Sequence, residues 1–348
     1  MNQILIYGAN GYTGALIAEE AVRRGLTPIL GGRNRDALDA LAERLKLSRR
    51  VFELSDTAEI ARNLDGVELL LNCAGPFSKT CAPLLEACLE LKLHYLDITG
   101  EIDVFAHCHR TQPHASRQGV VVAPGVGFDV VPTDCVAAML KQRLPDASEL
   151  VLAFEAGGGA SPGTARTSIE GLAKGGRARI GGELVEVPLA WKTRTFERAG
   201  SKRSAMTIPW GDVYTAYVST GIPNIETYMV LPPQTIARMR WLRYAKPLLG
   251  LAPVQRMLQA RASAASPGPD AARRESTHCH VWGEVRNAAG AEARLALTTP
   301  NGYALTVQSA LGIAQHVLDA KPAGGYYTPS QLMGADYVLR LPGVALVE

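Results

Sequence analysis

The chain has 348 residues, 47% of them hydrophobic and 20% charged, with a formal net charge of +3. Its length predicts two domains with a sizeable core, and its composition excludes disordered and fibrous classes. The slight charge, with no basic motif interleaved with aromatics, excludes nucleic acid as the expected partner. The first strand pattern begins at Gln3, which leaves no room for a signal peptide, and no run of about eighteen apolar residues predicts a membrane span. The expected location is the cytoplasm. Six cysteines (Cys73, Cys81, Cys88, Cys108, Cys135 and Cys279) contain no C-x-x-C pair and read as reduced thiols. His107, Cys108, His109 and His114, and likewise His278, Cys279 and His280, lack the spacing of a metal centre, so none is expected.

In chain order, Gln3–Tyr7, Thr27–Gly31, Val51–Leu54, Glu68–Asn72, His94–Ile98 and Val120–Ala123 read as strands separated by helix-length segments. Runs such as V-E-L-L-L-N are continuously apolar, as parallel strands covered on both faces must be. The predicted fold is α/β, a doubly wound parallel sheet over residues 1–128. The rhythm then changes. A helix over Val131–Leu144 leads into a strand at Leu150–Glu155, and glycine-rich turns with short strands follow to Trp210. Asn224–Leu231 is another strand, and His278–Asn287 with Arg294–Thr299 forms a hairpin around Ala288–Gly290. Residues 129–303 therefore predict a second, α+β domain with a mostly antiparallel sheet, and a small, proline-interrupted stretch over 262–276 reads as a flexible loop. Tyr303–Leu318 and Thr328–Leu341 read as helices, and residues 304–348 are expected to return to the first domain.

The opening strand runs into G-A-N-G-Y-T-G, with Gly8, Gly11 and Gly14 spaced three apart. Turns without side chains let backbone N–H groups approach a pyrophosphate, and the following helix aims its N-terminus at the same anion. Ala9, Asn10, Tyr12 and Thr13 complete this candidate dinucleotide site, with the Thr13 hydroxyl as a further donor. Ala15 and Leu16 follow the last glycine where an NTPase loop needs Lys and Ser or Thr, so ATP hydrolysis is disfavoured. The second strand ends in L-G-G-R-N-R. Arg33 stands where an NAD site offers a carboxylate, and with Asn34 it suits a 2′-phosphate, so the expected cofactor is NADP(H). Asp56 is open to two readings, an adenine contact or a helix N-cap. Cys73, Ala74, Gly75 and Pro76 are small residues after the fourth strand, where the nicotinamide half needs room. Cys73 itself reads as a buried thiol.

No Y-x-x-x-K is present, which excludes the carbonyl chemistry of short-chain dehydrogenases. G-A-S-P-G (Gly159–Gly163) matches a nucleophile elbow, but Pro162 lacks the N–H that an oxyanion hole needs from that position.

These motifs, with N-C-A-G-P-F (Asn72–Phe77), H-Y-L-D-I-T-G-E (His94–Glu101) and G-V-G-F-D-V-V-P-T-D (Gly125–Asp134), occur in an order that resembles the saccharopine dehydrogenase-like oxidoreductases. The stretches G-T-A-R-T-S-I-E (Gly163–Glu170), T-I-P-W-G-D-V (Thr207–Val213), G-I-P-N-I-E-T-Y-M (Gly221–Met229) and Y-Y-T-P-S-Q-L-M-G (Tyr326–Gly334) resemble the branch called trans-acting enoyl reductases. The resemblance implies a Rossmann domain, a mixed-sheet substrate domain, a nicotinamide cofactor and a homodimer. For the enoyl branch it implies reduction of C=C bonds on carrier-bound acyl chains, and for saccharopine-type members a C–N bond between amino acids.

Hydride transfer needs one proton source near the acceptor. Candidates at the strand ends are Asp97, Glu101, Asp129 and Tyr12, with Thr99 beside them, while Glu101 and Asp129 also read as helix-end residues. Arg166 is a candidate anion holder in the second domain, and Trp210 and Tyr214 candidate pocket walls. From Thr235 to Arg261 there are six basic residues and no acidic one, interleaved with Met, Trp and Leu. That stretch suits an anionic membrane surface or an acidic acyl carrier, or is a solvated face. The expectation is an NADPH-dependent reductase of an enoyl or acyl substrate, small or carrier-linked. Imine reduction and a silent NADP-binding scaffold are the alternatives.

Overall fold

The computed structural model describes residues 3–198, 200–245, 251–265 and 268–347. The chain divides into two compact units, Met1–Val131 with Tyr303–Gly334 and Pro132–Gly302 with Ala335–Glu348.

In the first unit, strands β1 (Ile4–Tyr7), β2 (Ile29–Gly32), β3 (Arg49–Val51), β4 (Leu69–Asn72), β5 (His94–Asp97) and β6 (Val121–Ala123) alternate with helices α1 (Tyr12–Arg23), α2 (Arg35–Leu45), α3 (Thr57–Asn63), α4 (Phe77–Leu91), α5 (Ile102–Arg110) and α6 (Gln112–Gln118). A late strand, Gly325–Tyr326, adds to β6, and the seven-stranded order is Gly325–Tyr326, β6, β5, β4, β1, β2, β3. Every pairing in it is parallel. Leu5, Ile6, Leu30, Leu69, Leu70, Leu71 and Leu96 are wholly buried, which is why these strands read as continuous apolar runs. Each such side chain contributes about 1.5–3 kcal/mol of transfer free energy. The chain order reverses between β1 and β4, and the loops after those two strands lie side by side. That is the switch point where a doubly wound sheet binds its ligand.

The third strand starts earlier than its pattern suggests. Arg49 and Arg50 lie on an edge strand, where charged side chains reach water and Arg49 pairs with Asp39.

The second unit takes in helix α7 (Val131–Arg143) from Pro132 onward and contains β7 (Glu149–Glu155), α8 (Pro162–Lys174), β8 (Gly176–Ile180), β9 (Glu183–Val187), β10 (Thr193–Arg198), β11 (Ser201–Thr207), α9 (Asp212–Thr220), β12 (Asn224–Val230) and α10 (Pro233–Leu242). Helix α11 (Ala252–Ala265), α12 (Ala271–Ser276) and the hairpin β13 (His278–Arg286) and β14 (Glu292–Pro300) follow. The main path of its sheet runs β10, β11, β12, β7, β13, β14 and then Ala345–Val347, with β8 pairing β12 and β9. Only β12 with β7 is parallel among these pairings. Buried and less buried residues alternate along β13. At Gly283 a Cβ would meet Val136 and Leu140 of α7, so the missing side chain admits that helix. Phe196, Tyr228, Ala153 and Ala205 form an aromatic cluster on which Trp282 packs.

Three expectations need correction. The stretch 262–276 is not a single loop, because α11 runs to Ala265 and Asp270 caps α12 by accepting from Arg273 N–H at 2.8 Å. Residues 266 and 267 lie outside the described residues. The segment 304–348 does not return to the first unit as a whole, since Ala345–Val347 extends the second sheet beside β14. Finally, Thr328–Leu341 is not one helix. Pro329–Met333 is a short helix closed at its start by a Thr328–Gln331 capping box, and Tyr337–Arg340 is a separate 3-10 turn.

Candidate functional site

Backbone hydrogen bonds hold the turn after β1. Gly8 and Ala9 N–H donate to Gly31 O at 2.8 and 3.1 Å, and Gly11 N–H donates to Gly8 O at 2.9 Å. Gly8 sits at φ +79°, and a Cβ there would lie 2.8 Å from the Ala74 Cβ. A Cβ on Gly14 would collide with Gly8 O, and one on Gly11 would come within 3.1 Å of the same oxygen. The turn is therefore a cradle that side chains would fill. Helix α1 begins beside it at Tyr12 with no side-chain cap at Gly11 and no acidic residue in its first turn, so its positive end is not neutralised from within the helix. Ala9 is buried, Asn10 is exposed, and Thr13 is half-buried. The half-buried Tyr12 ring stands edge-on to Tyr303, with centroids 4.8 Å apart.

At the end of β2, Arg33 is exposed. Its neighbour Asn34 caps α2, its side-chain oxygen accepting from Ala37 N–H at 3.1 Å. Asp56 likewise caps α3 through Ala58 N–H at 2.8 Å. Of its two sequence readings, the structure displays the N-cap.

The loop after β4 is organised by Asn72, which is fully buried. Its side-chain oxygen accepts from Ala74 N–H at 3.0 Å, while its amide donates to Thr80 Oγ1 at 3.1 Å and to the Tyr95 hydroxyl at 3.3 Å. Thr80 in turn donates to Ala74 O at 2.6 Å. Cys73, Ala74, Gly75 and Pro76 are fixed in shape by these bonds, and burial pushes the Cys73 thiol well up from its ordinary value.

One strand further, Asp97 is buried with every carboxylate oxygen engaged. Oδ2 accepts from the Tyr95 hydroxyl at 2.9 Å, and Oδ1 from Thr99 and Gly125 N–H at 3.0 Å each. Burial raises its pKa to about 6, against the pull of those three hydrogen bonds. Thr99 is also buried, and its hydroxyl accepts from Glu101 N–H at 3.0 Å. The Glu101 carboxylate accepts from Phe77 and Ser78 N–H at 2.8 and 2.9 Å, satisfying the first turn of α4. Asp97 and Glu101, both candidates for catalysis, thus brace the loops after β4 and β5.

Asp129 stands on the loop after β6. It is half-buried, with its carboxylate against Gly100, where a Cβ would lie 3.0 Å from Oδ2. Burial lifts its pKa to about 7. The loop that carries it is tied down by helix Gly302–Ala320, through Phe128 N–H to Thr306 Oγ1 at 2.9 Å and Ser309 Oγ to Val126 O at 2.7 Å.

Among the described residues one acid and thiol cluster, Cys81, Asp97 and Cys108, brings its ligand atoms within 4.8 Å. Its parts are already committed. The two thiols are 3.5 Å apart and hydrogen-bonded, and Asp97 is engaged as above.

In the second unit, Ser161 of the G-A-S-P-G stretch is the N-cap of α8, accepting from Thr164 N–H at 3.2 Å. Arg166 is exposed on α8, Trp210 packs on Phe154 with centroids 5.0 Å apart, and Tyr214 is half-buried. A residue that sequence reasoning missed is Arg179. It is buried, donates from Nε to Val213 O at 2.8 Å, and lies 4.0 Å over the Tyr217 ring and 5.8 Å from that of Tyr214. The signal that was available is an arginine inside a short strand, with two tyrosines a helical turn apart downstream.

Residues 4–121 match the family model described as the saccharopine dehydrogenase NADP binding domain. That match covers well under half of the chain. The human protein named saccharopine dehydrogenase-like oxidoreductase is 28% identical over 152 residues, 38% of this chain and 35% of that protein. A Mycobacterium tuberculosis (strain ATCC 25618 / H37Rv) protein, provisionally named a trans-acting enoyl reductase, is 29% identical over 191 residues, 49% of this chain and 44% of that protein. The matches thus span less than half of these relatives' length. The apo saccharopine dehydrogenase (L-Glu forming) of Saccharomyces cerevisiae shares the fold across the full length of both chains, with a TM-score of 0.68 at 11% identity. Three features of the first unit suit NADP(H): a turn closed to any Cβ, a helix start with no side-chain cap, and an exposed guanidinium at the end of β2. Among the described residues no helix is long and apolar enough to cross a membrane.

Proposed function

We propose that the chain is an NADPH-dependent reductase that saturates the C=C bond of an enoyl thioester, free or carried on an acyl carrier. The observation that carries this reading is Asp129, a half-buried carboxyl at the same edge of the sheet as the glycine cradle, with a pKa raised to about 7. A group of that pKa exchanges its proton near neutrality.

NADPH, when bound, supplies the hydride. In this reading the cradle of Gly8, Gly11 and Gly14 and the start of α1 hold the pyrophosphate, and Arg33 holds the 2′-phosphate. Ala74, Gly75 and Pro76 leave space for the nicotinamide, in a loop kept rigid by Asn72. Asp97, Thr99 and Glu101 act as positioning residues. Asp129 gives its proton to the α-carbon as the β-carbon gains hydride, and the resulting carboxylate recovers a proton from water. Tyr12 and Tyr303 form an aromatic wall. The relative named as an enoyl reductase supports the choice of C=C over C=N, because its match extends over 191 residues, beyond the length of the cofactor-binding domain.

The test is NADPH consumption by the purified chain with enoyl thioesters of coenzyme A, enoyl groups on an acyl carrier protein, and imines of amino acids with oxo acids. Oxidation with an enoyl thioester, and a saturated product by mass spectrometry, is the expected result. Turnover of imines alone transfers the activity to a C=N bond. Tight NADPH binding with no turnover across the whole panel makes the chain a silent scaffold.

A further inference from the structure

Among the described residues, large hydrophobic side chains are exposed at nine positions, and four of these fall between residues 241 and 257. Trp241 is 76% exposed, Tyr244 72%, Leu251 50% and Met257 52%. Single exposed apolar residues are ordinary, but four in so short a run of sequence are not; residues 246–250 within that run lie outside the described residues. Trp241 and Tyr244 lie with ring centroids 6.2 Å apart, and the Arg243 guanidinium stands 5.2 Å from the Tyr244 ring. Arg238 and Arg240 on α10 and Arg256 and Arg261 on α11 are exposed. No acidic residue occurs between Glu226 and Asp270, and no carboxylate pairs with Arg238 or Arg240 among the described residues.

Neither helix needs these side chains to hold its place. Helix α10 buries Ile236, and α11 rests on α8, with Gln255 donating to Ile169 O at 3.2 Å. The exposed residues are therefore surplus to folding.

We propose that the segment Arg238–Tyr244 docks the protein on an anionic lipid bilayer, with Trp241 and Tyr244 seated at the headgroup level and the arginines facing acidic headgroups. Charge selects this occupant over a second copy of the chain, which would bring arginines against arginines. Chemistry selects it over an acidic protein surface. Trp and Tyr present an apolar ring with a polar edge, which suits the membrane interface, and arginines beside them add attraction to acidic lipids. Docking here is peripheral. Pro253 stands in the first turn of α11, and neither helix reaches the length of a membrane span.

The experiment is flotation of the full chain with vesicles of phosphatidylcholine alone and of phosphatidylcholine with phosphatidylglycerol at roughly seven to three, at low and high salt. Binding to the mixed vesicles, none to the neutral ones, and release by salt are expected. Trp241→Ala with Tyr244→Ala, and separately Arg238→Glu with Arg240→Glu, should each weaken binding at least about tenfold. Because these side chains are exposed, both double variants should keep the circular dichroism and NADPH affinity of the parent. The proposal is overturned by a parent that ignores the mixed vesicles, or by binding that neither double variant alters. It is equally overturned if the face instead captures an acyl carrier protein, or drives dimerisation that the aromatic double variant abolishes.

Discussion

The two halves of the carboxyl edge of the first sheet are built by opposite means. After β1 and β2 the cradle is made by absence: three glycines, a helix start without a side-chain cap, and an exposed arginine. After β4, β5 and β6 the edge is made by side chains, as Asn72, Asp97 and Glu101 tie loop to loop through buried hydrogen bonds. The difference teaches that a backbone-made site tolerates almost no added atom, whereas a side chain-made site depends on which acid is committed and which retains a proton. Asp129 is the residue on which this second statement turns.

Replacing Asp129 by Asn gives the largest expected effect. If it is the proton donor, kcat falls by about 10²–10⁴-fold while the dissociation constant for NADPH stays the same. In the parent, the rate should fall as pH rises through about 7, where the carboxyl loses its proton. The variant should lose that pH dependence. Stability follows with the sign worked out. The folded pKa is raised from 3.8 to about 7, so the native state takes up the proton that the unfolded chain has released between those values. The raised pKa therefore costs nothing below about 4, and its full cost is present above about 7. The melting temperature of Asp129→Asn should exceed that of the parent at pH 8, and the gap should close as pH falls. An unaltered kcat would remove Asp129 from the chemistry and leave the second half of the edge purely structural.

Gly8→Val strikes the other half. A side chain at φ +79° costs about 1–3 kcal/mol in backbone strain, and the approach of 2.8 Å to Ala74 adds about 1–3 kcal/mol of overpacking. Where that sum is relieved by deforming the turn, NADPH affinity falls by at least about 30-fold. Titration by fluorescence checks it, and retained affinity would mean that the cradle is not where the pyrophosphate lies.

Arg33→Asp is expected to be smaller and selective. A charge-assisted contact contributes about 1.5–3 kcal/mol, so NADPH binding should weaken about 10–100-fold. NADH lacks the 2′-phosphate, and its affinity should hold or improve. Equal losses for both cofactors would count against Arg33 as the 2′-phosphate ligand.

How legible each half was in the sequence follows from how it is made. Glycines at fixed spacing after an apolar strand can be read directly, because the constraint is local and permits one residue type. The continuous apolar strands are equally readable, since each is buried on both faces. The bracing network was not readable. Glu101 meets Phe77 24 positions away, and Asp97 meets Gly125 28 positions away. Only the folded sheet reveals the partners of Asp97 and Glu101, and the sequence offered Asp97, Glu101 and Asp129 as near equals. In the second unit the helix α11 was read as a loop at its end because its alanines and serines carry no amphipathic stripe, although Asp270 was available as a cap for the next helix.

The smallest expected effect comes from Asp56→Ala, and it tests the boundary of the cofactor half. Asp56 had two readings, and its carboxylate accepts from Ala58 N–H at 2.8 Å at the start of α3. A lost N-cap of this kind costs about 1 kcal/mol, which for a domain of this size lowers the melting temperature by about 2–4 °C. Because the cap acts only on α3, NADPH affinity should be unchanged. Asp56→Asn keeps an accepting oxygen and should restore most of the stability, which a simple change in charge would not predict. If NADPH affinity instead fell several-fold in the alanine variant and stayed low in the asparagine variant, Asp56 would belong to the adenosine contacts. The cofactor half would then include a carboxylate as well as glycines and a guanidinium.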